Sequence, residues 1–361
     1  MEGKVRRRQF IALGLLLGVG LLGFFLWPRP TQSTSTADLP IPPQASLRVL
    51  FAERTVPIPE DNPQTPAKVE LGRRLFYDTR ISKDGTVACA SCHKPEFAFS
   101  DGGKPVSTGI FGRKGLRNAP TLTNVAFRRH LFWEGRSPRL ELQAVGPLTA
   151  HDEMGLEPEE LAQKLGAIPE YARAFQEVFG EAPSLKTVTY AIAAFERTLV
   201  SYNSPFDRYQ AGDDSAMSQA ALRGMELFFS EKGDCFHCHV GPDFTDDEPR
   251  NTALYTVYKD IGLARATGKD EDVGKFKTPT LRNVALTAPY MHDGSIQTLR
   301  EAVQHYNRGG EPNLNADALI RPLGLTDPEV EDLVAFLESL TDRSFTTNPA
   351  LLPPRGKGST P

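Results

Sequence analysis

The chain has four cysteines, and all four fall in two Cys-x-x-Cys-His pentads, Cys89-Ala90-Ser91-Cys92-His93 and Cys235-Phe236-His237-Cys238-His239. Two thiols at this spacing can add to the vinyl groups of a haem as thioethers, and the histidine directly behind them is placed to ligate iron. A redox dithiol needs Cys-x-x-Cys alone, and a structural zinc could take the four thiolates, but neither calls for a histidine behind each pair. The pentads therefore predict two covalently attached c-type haems, with His93 and His239 as iron ligands.

The elements that must position these groups are legible next. Shifting the chain by 159 places lays Pro120-Thr121-Leu122-Thr123-Asn124-Val125-Ala126 on Pro279-Thr280-Leu281-Arg282-Asn283-Val284-Ala285, then Gly135 on Gly294 and Leu140 on Leu299. Each pentad has its own copy of this segment, which predicts two related haem domains, residues 66–205 and 206–345. The pentads themselves are offset by 146, so the second copy carries 13 extra residues, expected in the polar stretch 241–277. No alternating strand pattern is sustained, and the expected fold class is mainly α, two tandem cytochrome c-like domains. Ser184 can cap a helix through about Val200, Gly180 can stop one carrying Tyr171, Phe175 and Val178, and Thr326-Asp327-Pro328-Glu329 reads as a capping box. Behind that box Val330, Leu333, Val334, Leu337 and Leu340 make one apolar stripe.

The amino terminus sets the compartment. Lys4, Arg6, Arg7 and Arg8 precede an uncharged run from Phe10 to Trp27, 18 residues and just long enough to span a bilayer. Residues 1–30 are thus expected to be a signal anchor or signal peptide, with the basic flank in the cytoplasm and the body in the periplasm, held to the inner membrane by residues 10–27 if uncleaved. Arg7-Arg8 also resembles a twin-arginine signal; against it, c-type haem is attached after export, to a chain still open enough to present its thiols. Residues 31–65 read as a linker and 346–361 as a loose tail. Residues 1–30 hold five Lys or Arg and one acid, leaving 36 basic against 44 acidic residues in the exported part, a net charge of -8. Such a surface argues against nucleic acid as a partner.

The duplication makes the two irons unequal. At the 159 offset Tyr306 stands where the first copy has Pro147. In a helix begun by Thr298, Leu299, Ala302, Val303 and Tyr306 share a face, with His305 turned away from it. A phenol can ligate ferric haem and a proline side chain cannot. If this face covers the haem in both halves, the second iron is closed and the first open, although by periodicity alone Tyr306 is more readily a core aromatic than a ligand.

From about Pro66 to Leu340 the chain resembles the bacterial di-haem cytochrome c peroxidases and their relative MauG, through LGRRLFYD, CASCH, RNAPTLTNVAF, FWEGR, LQAVGP, DEMG, CFHCH, KTPTLRNVALTAPYMHDGS and EAVQHYNRGG. The resemblance implies that the first domain is the peroxidatic one and the second the electron-transfer one. It implies Gln143 and Glu153 as distal residues of the peroxide-binding haem, Trp133 as the aromatic between haems, and Tyr306 as distal ligand of the second haem. It also implies a Ca2+ site from Asn118 and the carbonyls of Thr287 and Pro289, an oxygen-only set that suits calcium. Read alone, Glu153 is a solvated charge before a helix, Trp133 a core residue and Asn118 a turn residue.

Two departures separate branches of that family. Ile110 stands where many of its peroxidases have a histidine that caps the peroxidatic haem, and Tyr306 stands where they use methionine, as in MauG. The leading expectation is a periplasmic peroxidase that reduces hydrogen peroxide with electrons from a small redox protein such as a cytochrome c or cupredoxin. The alternative is a MauG-like enzyme that oxidises side chains of a partner protein. A non-enzymatic electron carrier would need both irons closed, and Pro147, Ile110 and Glu153 argue against it.

Overall fold

The computed structural model describes residues 54–354, and the membrane or signal helix expected at 10–27 lies outside them. Among the described residues no helix is long and apolar enough to cross a membrane. The principal helices are α1 (Pro66–Phe76), α2 (Leu140–Gln143), α3 (Pro158–Gly166), α4 (Pro169–Phe179), α5 (Leu185–Glu196), α6 (Gln219–Phe228), α7 (Leu299–Arg308), α8 (Asp327–Ser339) and α9 (Arg343–Thr347). Two-residue strands β1 (Pro249–Arg250) and β2 (Phe276–Lys277) pair antiparallel.

The helix ends follow local chemistry. Ser184 accepts from Thr187 N at 3.2 Å to start α5, and Thr298 with Glu301 closes a reciprocal box on α7. Gly180 ends α4 and Gly309 ends α7, both with positive φ. Helix α5 stops at Glu196, short of the expected Val200, because Thr198 and Leu199 turn back onto Phe195 and Glu196.

Both halves are built on the same crossed helix pair. In the first, α1 packs on α5, and a Cβ at Gly72 would lie 1.9 Å from Ala191 O. In the second, α6 packs on α8, and a Cβ at Gly224 would lie 1.9 Å from Asp332 O. Only glycine lets the backbones come this close. Phe195 and Phe336 stand at matching places beside these glycines, each in its own apolar core. Asn124 N donates to Leu199 O and Asn283 N to Leu340 O, at 2.8 and 3.0 Å, so the duplicated segments are also tied alike to the helix pairs.

The stretch 241–277, where the extra residues are expected, carries β1, a turn of helix at Ala264–Thr267, and β2. His305 stays off the face of α7 that lines the cavity, as expected; on its own side it is buried and donates from Nε2 to Thr252 O, within this stretch, at 2.8 Å.

The described parts of the linker and of the tail are packed. In the linker, Asn62 is fully buried and donates to Glu141 Oε1 at 2.7 Å, while Arg54 pairs with Asp243 and lies over the Phe127 ring. In the tail, Leu351 joins Phe345, the last residue of the expected second domain, in the core around Phe76 and Phe99 of the first half, and Tyr77 Oη donates to Leu351 O at 2.6 Å. A few apolar side chains and one buried amide suffice to hold both segments down.

Candidate haem and peroxide site

One cavity of about 620 Å3 is lined by both pentads. Leu122, Val125, Leu140 and Ile192 face it from the first half, and Leu281, Val284, Leu299 and Leu333 from the second. The four cysteines form no disulfide. His93 donates from Nδ1 to Phe99 O at 2.8 Å, and His239 does the same to Phe244 O at 2.9 Å. That bond fixes the tautomer and leaves each Nε2 as the lone-pair nitrogen for iron. Burial pushes both imidazoles down and so keeps them neutral, as a metal ligand must be. Apolar walls, unpaired thiols and oriented imidazoles are what two covalently held haems require.

Every residue singled out for a site role lies on this cavity wall: Trp133, Gln143 at the end of α2, Glu153, Tyr306, Asn118, Thr287 and Pro289, with Pro147 beside them. On α7 the predicted face is the observed one, since Leu299, Ala302, Val303 and Tyr306 all line the cavity. Ile110 does not. Its side chain is buried in the first half's core, and the turn reaches the cavity through Ser107 and Gly109 instead.

Glu153 lies in the loop between Thr149 and α3, not at a helix start. Ile110 N donates to Glu153 O at 2.9 Å, and a Cβ at Gly109 would lie 2.0 Å from Asp152 O, so the two loops are fitted together. The Glu153 side chain is exposed, but onto the cavity, and the protein around it still raises its pKa: desolvation leads, Asp152 adds and Arg136 opposes. Arg136, lying over the Phe132 ring and paired with Glu134, also lines the cavity. Sequence reasoning missed it, although it belongs to the FWEGR segment.

The indole of Trp133 donates from Nε1 to Asn118 O at 2.8 Å. The Asn118 amide donates from Nδ2 to Lys104 O and Pro105 O, which turns its own oxygen the other way. Across the halves, Asn118 N donates to His292 O and Lys277 N to Trp133 O, both at 2.7 Å. Asn118 matches Lys277 and Trp133 matches His292 at the 159 offset, so each bond is the image of the other. Reciprocity of this kind is the mark of a two-fold contact.

Glu196 was also missed. It is buried on the cavity wall at the end of α5, its Oε2 has no hydrogen-bond partner, and desolvation pushes its carboxyl up to about 8. Leu337 occupies the corresponding place on α8.

Two related helical domains facing one cavity, each presenting a Cys-x-x-Cys-His pentad, define a di-haem c-type protein. A family model for di-haem cytochrome c peroxidase matches residues 66–215, and one for cytochrome c matches residues 221–341. The chain belongs to the di-haem cytochrome c peroxidase and MauG family. It is 39% identical to cytochrome-c peroxidase IdrP1 of Pseudomonas sp. (strain SCT), covering 93% of this chain and 94% of that one. It is 40% identical to the methylamine utilization protein MauG of Methylorubrum extorquens, covering 85% and 88%. A crystal structure of a MauG-like protein associated with microbial copper homeostasis superposes with a TM-score of 0.79 at 38% identity, covering 84% of this chain and 97% of that chain.

Proposed function

We propose that this protein is a periplasmic peroxidase that reduces hydrogen peroxide to water with electrons from a cytochrome c or a similar small redox protein. The observation that carries the reading is Glu153, a carboxyl of raised pKa on the haem cavity wall, on a half where Pro147 stands in place of Tyr306. Bound haem supplies the electrons and, in the first half, an iron position for peroxide. Glu153 takes a proton from one peroxide oxygen and returns it to the other as the O–O bond breaks. Gln143 orients the substrate by hydrogen bonding, and the Arg136 guanidinium offsets negative charge nearby. Two electrons and two protons complete the conversion to two waters. Asn118 and the carbonyls of Thr287 and Pro289 hold Ca2+ where the halves meet. The basic and apolar residues 4–27 and the covalent haem motifs support export, with residues 10–27 as the anchor.

Tyr306 favours a second reading, an enzyme that oxidises side chains of a partner protein through Trp133, since the family's MauG branch shares that residue. Steady-state oxidation of a reduced small cytochrome by peroxide separates the two. The peroxidase reading expects sustained turnover that falls about 100-fold or more in Glu153→Gln. Poor turnover of every small donor, with oxidation of a co-purifying protein, supports the second reading. EPR of the isolated diferric protein should contain a high-spin component from the open first haem; two low-spin signals alone would sink the open site.

A further inference from the structure

At the seam between the halves lies a buried charged cluster that the proposed reaction does not use. Arg128 comes from the first half, and Asp243, Asp247 and Lys277 from the second. Arg128 is 5% exposed, lines the haem cavity and spends only Nη2 on a close partner, Asp243 Oδ2 at 2.5 Å. Its Nη1 is 3.5 Å from Asp247 Oδ1, and neither Nη1 nor Nε makes a hydrogen bond. Asp243 is already saturated, by Asn124 Nδ2, Tyr202 Oη, Arg128 and Arg54. Lys277 also lines the cavity, with Nζ 3.8 Å from Asp247 Oδ1.

The neighbouring charges are matched elsewhere: Arg282 with Asp207, Arg250 with Asp246 and Asp317, Arg129 with Glu248. Arg54, Arg128 and Lys277 stand about Asp243 and Asp247, yet Arg128 Nη1 and Nε and Asp247 Oδ1 all lack a hydrogen-bond partner. A buried guanidinium with two idle donors is costly unless an acceptor completes its hydrogen bonding. A guanidinium edge and an ammonium facing an apolar cavity suit a carboxylate. A c-type haem is tethered through its vinyl edge and carries two propionate carboxylates on the other.

We propose that Arg128 of the first half and Lys277 of the second together clamp a propionate carboxylate of the second haem across the seam. The proposal rests on Cys235, Cys238 and His239 holding that haem. Asp243 and Asp247 follow His239 by four and eight residues, which ties the cluster to the second haem. Lys277 N also donates to Trp133 O, so the clamp fixes the second haem and the backbone of Trp133 through one residue. Arg128 and Lys277 are positioning residues here.

The test uses holoprotein whose haem carries 13C at the propionate carboxyls, studied by redox-difference infrared spectroscopy and spectroelectrochemistry. Arg128→Gln and Lys277→Gln are expected to shift a labelled carboxylate band and to lower the reduction potential of the Tyr306-side haem, because losing a nearby cation disfavours the added electron. Arg128→Lys, which keeps the charge, should shift the band while moving the potential less, and it stands in should Arg128→Gln fail to fold. Arg129→Gln, at an exposed residue paired with Glu248, should change neither. Labelled bands and potentials that match the parent in Arg128→Gln and Arg128→Lys, or changes confined to the first haem, overturn the clamp. Neither readout depends on turnover, so failure of the peroxidase reading would show separately.

Discussion

Glu153 and Glu196 are two carboxyls on one cavity wall with opposite prospects. Glu153 is open to the cavity, and its raised pKa places its loss of a proton nearer neutral pH than an ordinary glutamate. As the base it must be ionised, so kcat/KM for peroxide should rise with pH through that raised pKa, and Glu153→Gln should flatten this acid limb while leaving the haem absorption spectrum intact. An acid limb that persists in the variant would assign the titration to another group. Glu196 is buried rather than open to the cavity. The folded protein holds its proton up to about pH 8, whereas an unfolded glutamate releases it near pH 4.3. The folded state therefore binds more protons across that window, and stability falls as pH rises through it. Glu196→Gln should remove this slope, so its melting temperature should gain on the parent between pH 5 and pH 8. A constant difference would show that Glu196 stays ionised in the fold. The sequence displays Glu153 as one of many loop acids and Glu196 as a lone acid in an apolar helix; what distinguishes them is the neighbours that folding brings, which no spacing encodes.

Helices carry the duplication more faithfully than the sequence does. Gly72 and Gly224 each let a helix meet its partner's backbone, so Gly72→Ala and Gly224→Ala should each cost about 2 kcal/mol or more in thermal or denaturant unfolding. Gly166, at the end of α3 with open space about it, is the control: Gly166→Ala should be neutral or slightly stabilising. Equal losses at all three would mean that helix crossing is not what these glycines serve. Caps, stops and the face of α7 were readable because a Ser or Thr box, a glycine after the last turn and a 3.6-residue repeat act within a few residues of chain. The packed linker and tail were not readable, because Asn62 and Leu351 are held by groups about 80 to 280 positions away. The partner that His305 finds was unreadable for the same reason: Thr252 O lies more than 50 residues upstream.

At the scale of the molecule, the halves meet where Trp133, Asn118, Lys277 and His292 exchange backbone hydrogen bonds. If calcium is bound there by Asn118, Thr287 and Pro289, a chelator should lower peroxide-dependent turnover and added Ca2+ should restore it. Asn118→Ala should make the treated and untreated enzymes alike. Indifference of the parent to both additions would remove calcium from the account. These residues are spread over 171 positions of chain, from Asn118 to Pro289, so only resemblance could group them in the sequence. The reciprocal bonds carry one more consequence, and it concerns history. A contact in which each half donates to the other's equivalent carbonyl is what two identical chains would make on pairing, and in such a dimer any substitution appears in both sites at once. Joined in one chain, each half is free to change alone. Proline could then stand opposite tyrosine, tryptophan opposite histidine and glutamate opposite leucine, so the covalent join is what allowed one ancestral site to become two trades.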